Sequence, residues 1–304
     1  MLEREKKISM AASFGLLSAA IIWGFAFVIV KSSLDVIPPV YMLAFRFTIA
    51  SAGLALIFHK KFRLLNKSLW GHGAVLGLFL FLSYLFQTIG CQYTTAGKNA
   101  FLTTIYVVLV PFLHWIFNKK KPDRYCVIAA FMAVIGIGLL SLQGDLTMNI
   151  GDALTLICGF GYAVHIVFID RYTEIEDPIL LTVLQLGFAA LFSWILAPLF
   201  DGSFPAGALR PDMIAGMLYL GLLSTMVAFL LQNVGQKYTK PSTAALLLSM
   251  ESVFGILFSM IFLGEVLTIK MVAGCILIFT AVIMAETKFE FLKRKKTAGG
   301  NEYV

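Results

Sequence analysis

Residues 11–30 read AASFGLLSAAIIWGFAFVIV, twenty residues without a charge, bounded by Lys6-Lys7 on one side and Lys31 on the other. A helix needs about 20 apolar residues to cross the hydrocarbon core of a bilayer. The apolar run is continuous and does not alternate with period two, so it predicts a spanning helix and not a barrel strand. The preceding MLEREKKISM imitates the start of a secretory signal. The run is too long for a signal core, has no convincing small-x-small cleavage site, and is read as the first transmembrane helix. Nine more stretches of the same kind follow, near 38–58, 70–92, 99–118, 125–142, 151–169, 178–200, 213–235, 241–263 and 268–285. Composition agrees: 59% of the 304 residues are apolar and 13% charged, against roughly 45–50% and about 25% in soluble domains. A disordered chain and a soluble enzyme are both excluded.

The basic residues predict the orientation. The two ends and the even-numbered gaps hold 19 of the 24 Lys and Arg residues, and the odd gaps hold Lys31, Lys98, Arg210 and Lys270. By the positive-inside rule, both termini and the even gaps lie in the cytoplasm. The remaining cation, Arg46, falls inside the second span. The net charge of +7 is therefore a topological signal spread over short loops, and no nucleic-acid partner is expected. The one dense cluster, Lys293-Arg294-Lys295-Lys296, suits anionic headgroups. Cys91, Cys126, Cys158 and Cys275 lie in or beside apolar spans with no CxxC pair, and read as small core residues.

The chain also reads twice. Trp23-Gly24-Phe25-Ala26 in the first span recurs as Phe160-Gly161-Tyr162-Ala163 in the sixth. Pro39 and Pro178 each open a helix, and a Thr-containing turn precedes both the fourth span (Thr94-Thr95-Ala96) and the ninth (Thr239-Lys240-Pro241). Gly136 and Gly138 in the fifth span are echoed by Gly274 in the tenth. Five spans per half is an odd number, so the second copy enters the membrane upside down, an arrangement characteristic of secondary transporters. The expected fold is an all-α membrane protein of ten transmembrane helices as two inverted five-helix repeats, residues 8–143 and 149–286, with a basic cytoplasmic tail at 287–304.

The order of these pieces resembles the EamA-type members of the drug/metabolite transporter superfamily. The resemblance rests on Trp23-Gly24…Lys31, Pro39…Arg46, AGKNAFLTTIYVVLVP (Ala96–Pro111), GDALTLICGFGYAVHIVFIDRY (Gly151–Tyr172) and Leu263-Gly264-Glu265. The chain departs from the pattern in two places. The fourth span ends in NKKKPDRY where a Gly-Glu pair is frequent, and Ser252 follows Glu251 where Pro is common. The resemblance implies alternating-access export of amino acids or similar small metabolites across the inner or plasma membrane. A rival reading, an intramembrane enzyme acting on a lipid, finds no nucleophile motif.

No cofactor, metal or catalytic residue is expected. GCQYTTAGKN (Gly90–Asn99) imitates a P-loop but has six residues between its glycines where four are needed, and Asn99 replaces the Ser/Thr that would hold magnesium. Gly136-x-Gly138 lacks a third glycine, HExxH and GxSxG do not occur, and Asn66-Lys67-Ser68, a glycosylation sequon, falls on the cytoplasmic side. Energy then comes from a gradient or from exchange, with proton coupling one option.

Two in-span charges carry the most information, because a charge at mid-bilayer costs at least ~2.5–3.5 kcal/mol and usually faces an interior cavity. Glu251, ten residues into the ninth span and so near the midplane, is the candidate for proton coupling or for a cationic group of the solute; a structural pair with Arg46 is the alternative. Arg46 is read as a structural charge. His165, the one imidazole near the centre of the sixth span, is the second coupling candidate. Polar stripes recur at helical spacing: Tyr84, Gln87 and Cys91; Asn99, Thr103 and Tyr106; Tyr162 and His165; Thr225, Phe229 and Gln232. With Trp23 as an aromatic wall, they predict one mixed polar–aromatic cavity for the solute; interhelical hydrogen bonds worth ~0.6 kcal/mol each are the plainer account. Lys31 and Lys98 are expected to set the field at the outer mouth. Gly73-x-x-x-Gly77 permits a close crossing, within the chain or between protomers. The partners implied are a small solute and membrane lipids, for a monomer or a homodimer.

Overall fold

The computed structural model describes residues 2–119, 121–141, 148–238 and 247–287. Among them no β-strand forms, and twelve helices follow one another. These are α1 (Leu2–Ser33), α2 (Pro39–Ile57), α3 (Lys67–Tyr93), α4 (Ala96–Thr103), α5 (Tyr106–Asn118) and α6 (Arg124–Ser141) in the first half. In the second half they are α7 (Ile150–Thr173), α8 (Pro178–Phe200), α9 (Pro211–Leu218), α10 (Ala228–Tyr238), α11 (Glu251–Leu263) and α12 (Ile269–Thr287). Between α9 and α10 the chain winds as a π-helix over Tyr219–Val227. Seven helical stretches are long and apolar enough to cross a membrane, α4 with α5 and α9 to α10 each counting as one. Three more are apolar but shorter: Arg124–Leu140, Leu247–Leu263 and Ile269–Met284.

The prolines do what their positions predict. Pro39 and Pro178 stand in the first turns of α2 and α8, where no N–H is needed. Asp177 caps α8 from within the chain, its Oδ1 accepting from the amides of Ile179 and Leu180. Pro38, which precedes α2, has no side chain for that task. Asp201, just past the end of α8, substitutes for it by accepting from Val40 and Tyr41 at 2.7 and 3.0 Å.

Packing is chiefly between the halves. The main neighbours are α6 with α12, α3 with α7 and α8, α2 with α8 and the π segment, α1 with α10 and α11, α4 with α11, and α7 with α4 and α5. Number the ten apolar stretches in order and exchange each with the one five places on: this set of neighbours maps onto itself, as a two-fold relation between repeats requires. Glycine makes the self-paired contacts close. A Cβ on Gly136 of α6 would meet the Gly274 carbonyl of α12 at 2.9 Å, and one on Gly274 would meet that of Gly136 at 2.7 Å. Gly73 and Gly77 press on Leu184 and Phe188 of α8, so their close crossing lies inside the chain. Large side chains such as Phe131, Val134, Leu199 and Ile261 are exposed and form the outward apolar surface.

Two spans expected to run unbroken do not. The fourth is interrupted at Thr104-Ile105, between α4 and α5. The ninth carries a one-residue turn at Met250 within the stretch Leu247–Leu263, so α11 starts at Glu251; residues 239–246 lie outside the described ones. A hydroxyl bonded back to the preceding turn stands at each interruption. The Thr104 hydroxyl donates to the Phe101 carbonyl at 2.7 Å, and that of Ser252 to the Ser249 carbonyl at 2.8 Å. Hydroxyls that bond back to the preceding turn compete with the helical ladder and bend it.

Candidate functional site

Where the two interruptions meet, the Tyr106 hydroxyl at the start of α5 donates to Glu251 Oε1 at the start of α11, at 3.3 Å. Glu251 is buried, at 6% exposure. From this contact an aromatic chain leads across the molecule. Tyr106 meets Tyr162 of α7 edge-on at 6.4 Å between centroids, and Tyr162 meets Tyr84 of α3 edge-on at 5.5 Å. The guanidinium of Arg46 lies 4.4 Å above the Tyr84 ring.

Arg46 is 2% exposed and its partners are hydroxyls. Nε donates to Thr225 Oγ1 and Nη2 to Ser224 Oγ, each at 3.1 Å. Both hydroxyls belong to the π segment, whose wide turn lets Thr225 Oγ1 donate five residues back to the Leu220 carbonyl at 2.8 Å. The Ser224 carbonyl accepts from the Trp23 indole at 2.7 Å. A π segment loosens the regular ladder and is frequent at functional sites; here it supplies the groups that hold Arg46 and Trp23. The expected alternative of an Arg46–Glu251 pair is not formed. Three tyrosine rings stand between the two charges.

A second branch runs along α3, α4 and α7. Tyr162 donates to Gln87 Oε1 at 3.4 Å, Gln87 Nε2 to Thr103 Oγ1 at 3.1 Å, and Thr103 to the Asn99 carbonyl at 2.8 Å. Asn99 Nδ2 donates to the Gln87 carbonyl at 3.1 Å and to Thr155 Oγ1 at 2.8 Å. The Thr155 hydroxyl spends its own proton on the Gly151 carbonyl, so both of its neighbours fix the Asn99 amide in one orientation. Asn99 Oδ1 is left buried without a partner among the described residues, as is Gln232 Oε1.

The structure therefore joins Tyr84, Gln87, Asn99, Thr103, Tyr106, Tyr162 and Glu251 in one cluster with Arg46, and attaches Trp23 through Ser224. Two expected members stand apart. His165 bonds Gln185 of α8 through Nε2 at 2.9 Å, and Gln232 touches no member of the cluster by hydrogen bond. Thr225 was visible in the eighth-span stripe; Ser224, Thr155 and Gln185 were not, because a lone hydroxyl or amide on an apolar helix has no sequence signal of its face.

The outer-mouth cations have bonded partners. Lys31 Nζ donates to the carbonyls of Cys91, Gln92 and Thr94 at 2.7, 3.2 and 2.7 Å. Lys98 pairs at 2.5 Å with Asp152, which is fully buried in the first turn of α7. Asp152 is thus, like Glu251, a buried acidic residue within an apolar helix. It is the second residue of the 151–169 stretch, where sequence alone does not separate a buried carboxylate from one that meets water.

The EamA-like transporter family model matches this chain twice, over residues 10–142 and 149–287. An Archaeoglobus fulgidus protein named an uncharacterized transporter is 36% identical over 277 residues, covering 91% of this chain and 86% of that one. The Bacillus subtilis protein named uncharacterized transporter YoaV is 25% identical over 293 residues, covering 92% and 98%. A solved structure, titled only a crystal structure of a protein, is similar with a TM-score of 0.67 at 17% identity, over 93% of this chain and 99% of that one. That last likeness concerns the fold alone.

Proposed function

The chain belongs to the EamA-like transporter family, and from that premise we propose a ten-span secondary transporter of the cell membrane with both termini cytoplasmic. It moves small amphiphilic metabolites, amino acids or related compounds, outward by alternating access between inverted repeats at 8–143 and 149–286. The tail at 287–304 stays on the cytoplasmic side. Trp23, Tyr84, Gln87, Asn99, Thr103, Tyr106, Tyr162, Gln232 and Glu251 form the solute site, with His165 at its edge. Arg46 organises it.

One observation carries this reading. Helices interrupted at corresponding places in two repeats are the best pointer to a transporter's binding site, and here the two interruptions touch through Tyr106 and Glu251. The unpartnered acceptors on Asn99 and Gln232 support a solute that donates hydrogen bonds, since a buried unmet acceptor costs about 1–3 kcal/mol. Glu251 exchanges the coupling proton, and His165 is next in line.

The test is counterflow of labelled L-amino acids in proteoliposomes, with and without a pH gradient. Wild type should exchange at least one of them and accumulate it when a proton gradient is imposed. Glu251→Gln should keep exchange and lose gradient-driven accumulation. If no amino acid exchanges, the cargo class is wrong. If Glu251→Gln accumulates normally, coupling passes to His165. Labelling of introduced cysteines should find positions 60–67 cytoplasmic and 203–208 outside; labelling of 203–208 only from the cytoplasm would overturn the ten-span topology.

A further inference from the structure

The turn between α3 and α4 is gripped from three directions by charged side chains. Lys31 of α1 caps the carboxyl end of α3 through three carbonyls, where a helix leaves its acceptors open and its dipole favours a cation. Glu265, just beyond α11, caps the amino end of α4: its two carboxylate oxygens accept from the amides of Ala96 and Gly97 at 2.7 and 3.0 Å. Asp152 of α7 accepts from Thr94 in the turn and from Lys98 in α4, both at 2.5 Å. The backbones are pressed together beneath these contacts. A Cβ on Gly151 would stand 2.6 Å from the Gly90 carbonyl oxygen, and one on Gly97 would stand 2.7 Å from the Ser259 hydroxyl.

Asp152 and Glu265 belong to the second half and the turn to the first, so these bonds join the halves. Of these charged groups, Lys31 and Glu265 line a cavity of about 470 Å³, with Asp35 and Gln92. Immediately beneath them begins the polar cluster, Asn99 following Lys98 in the chain. Lys31 and Glu265, at the cavity wall, can be rehydrated as their contacts part, whereas the fully buried Asp152 loses its partners only if the halves separate enough to admit water.

We propose that Lys31, Lys98, Asp152 and Glu265 form the outer gate of the transport path, closed in this structure. The inference rests on the alternating-access reading and adds which groups must part when the outer side opens.

Cys158 supplies the reporter. It is fully buried on α7, beside Thr103, and so lies under the gate. In a full-length chain with Cys91, Cys126 and Cys275 replaced by Ala, a membrane-impermeant maleimide is applied to intact cells and, separately, to inside-out vesicles. Asp152→Asn and Glu265→Gln should each raise labelling of Cys158 from outside about tenfold, within the usual range of coupling between two states. Labelling from the cytoplasmic side should stay level or fall. The exchanged pair Lys98→Asp/Asp152→Lys should bring the outside rate back toward the parent. An unchanged outside rate in variants that melt like the parent would overturn the gate, and so would an equal rise on both faces, which marks general loosening. Should Asp152→Asn fail to fold, Glu265→Gln carries the test alone, since its amide oxygen can still accept from one of the two backbone amides. Labelling needs no solute, so a failed counterflow assay leaves this result standing, and a failed labelling assay leaves the cargo question untouched.

Discussion

Arg46 and Glu251 are both buried and opposite in charge, and a stability cycle on the two decides whether the geometry described here is right. Arg46 is engaged by Thr225, Ser224 and the Tyr84 ring, and Glu251 by Tyr106. The two charges make no ion pair, and the contacts that link them run through three tyrosine rings. At an effective dielectric near 20 such a pair exchanges no more than about 1–2 kcal/mol. A direct buried pair would instead lose about 3–5 kcal/mol when one partner is removed, because the other charge is left uncompensated. Arg46→Gln alone should be the costlier change, since it forfeits two charge-assisted hydrogen bonds of about 1.5–3 kcal/mol each and a cation–π contact of about 1 kcal/mol, offset by the relief of desolvation. Glu251→Gln keeps an acceptor for Tyr106 and should cost under about 1 kcal/mol. Unfolding of the purified protein in mixed micelles of rising SDS content, followed by tryptophan emission, gives the free energies of the parent, both single variants and the double variant. The double variant should equal the sum of the singles within about 1–2 kcal/mol. If the second substitution restores 3 kcal/mol or more, the charges pair directly and the aromatic chain between them is wrongly placed.

Two further outcomes follow from packing and charge. Gly71→Ala, with open space where the Cβ would go, should leave stability equal or raise it by up to about 1 kcal/mol through helix propensity. Gly151→Ala, which drives a methyl into the α3 backbone, should lower it by about 1–3 kcal/mol or more; the SDS transition midpoints of the two variants provide the check. Asp177, in the loop before α8, gives a pH signature. Burial is the largest single influence on its carboxyl and works upward, yet Lys61 at 2.5 Å and the amides of Leu180 and Ile179 together hold it below the ordinary carboxylate value. A depressed carboxylate contributes stability above its ordinary titration range and loses it as pH falls through the lower, folded value. Lys61→Met should therefore melt lower than the parent between pH 5 and 7, by what a partly exposed pair provides, under about 1 kcal/mol. The two melting curves should converge in acid; a gap that stays constant down to pH 2 would refute the assignment.

Much of the candidate site was legible from spacing alone. Asn99, Thr103 and Tyr106 recur at intervals that put them on one face of a helix, and the structure joins all three to the same cluster. The same rule does not say which neighbour a residue meets, because a helical face has two edges: His165 turns toward Gln185 of α8. The partners of Lys31 and Lys98 are not legible in sequence for a related reason. A cation near a span end looks the same in sequence whether it meets water, a helix terminus or a buried carboxylate.

Hydropathy and loop charge are local sums over the chain. That is why the apolar stretches, the doubling of the pattern and the all-helical class could be read from the sequence before any contact was known. The interruptions at Thr104-Ile105 and Met250, the π segment and the partners of Arg46 and Glu251 could not. Tyr106 and Glu251 are 145 residues apart, and Arg46 and Ser224 are 178 apart. Which buried donor finds which acceptor across such intervals depends on how each helix is rotated and shifted against its neighbours, and that is settled only when all of them pack at once.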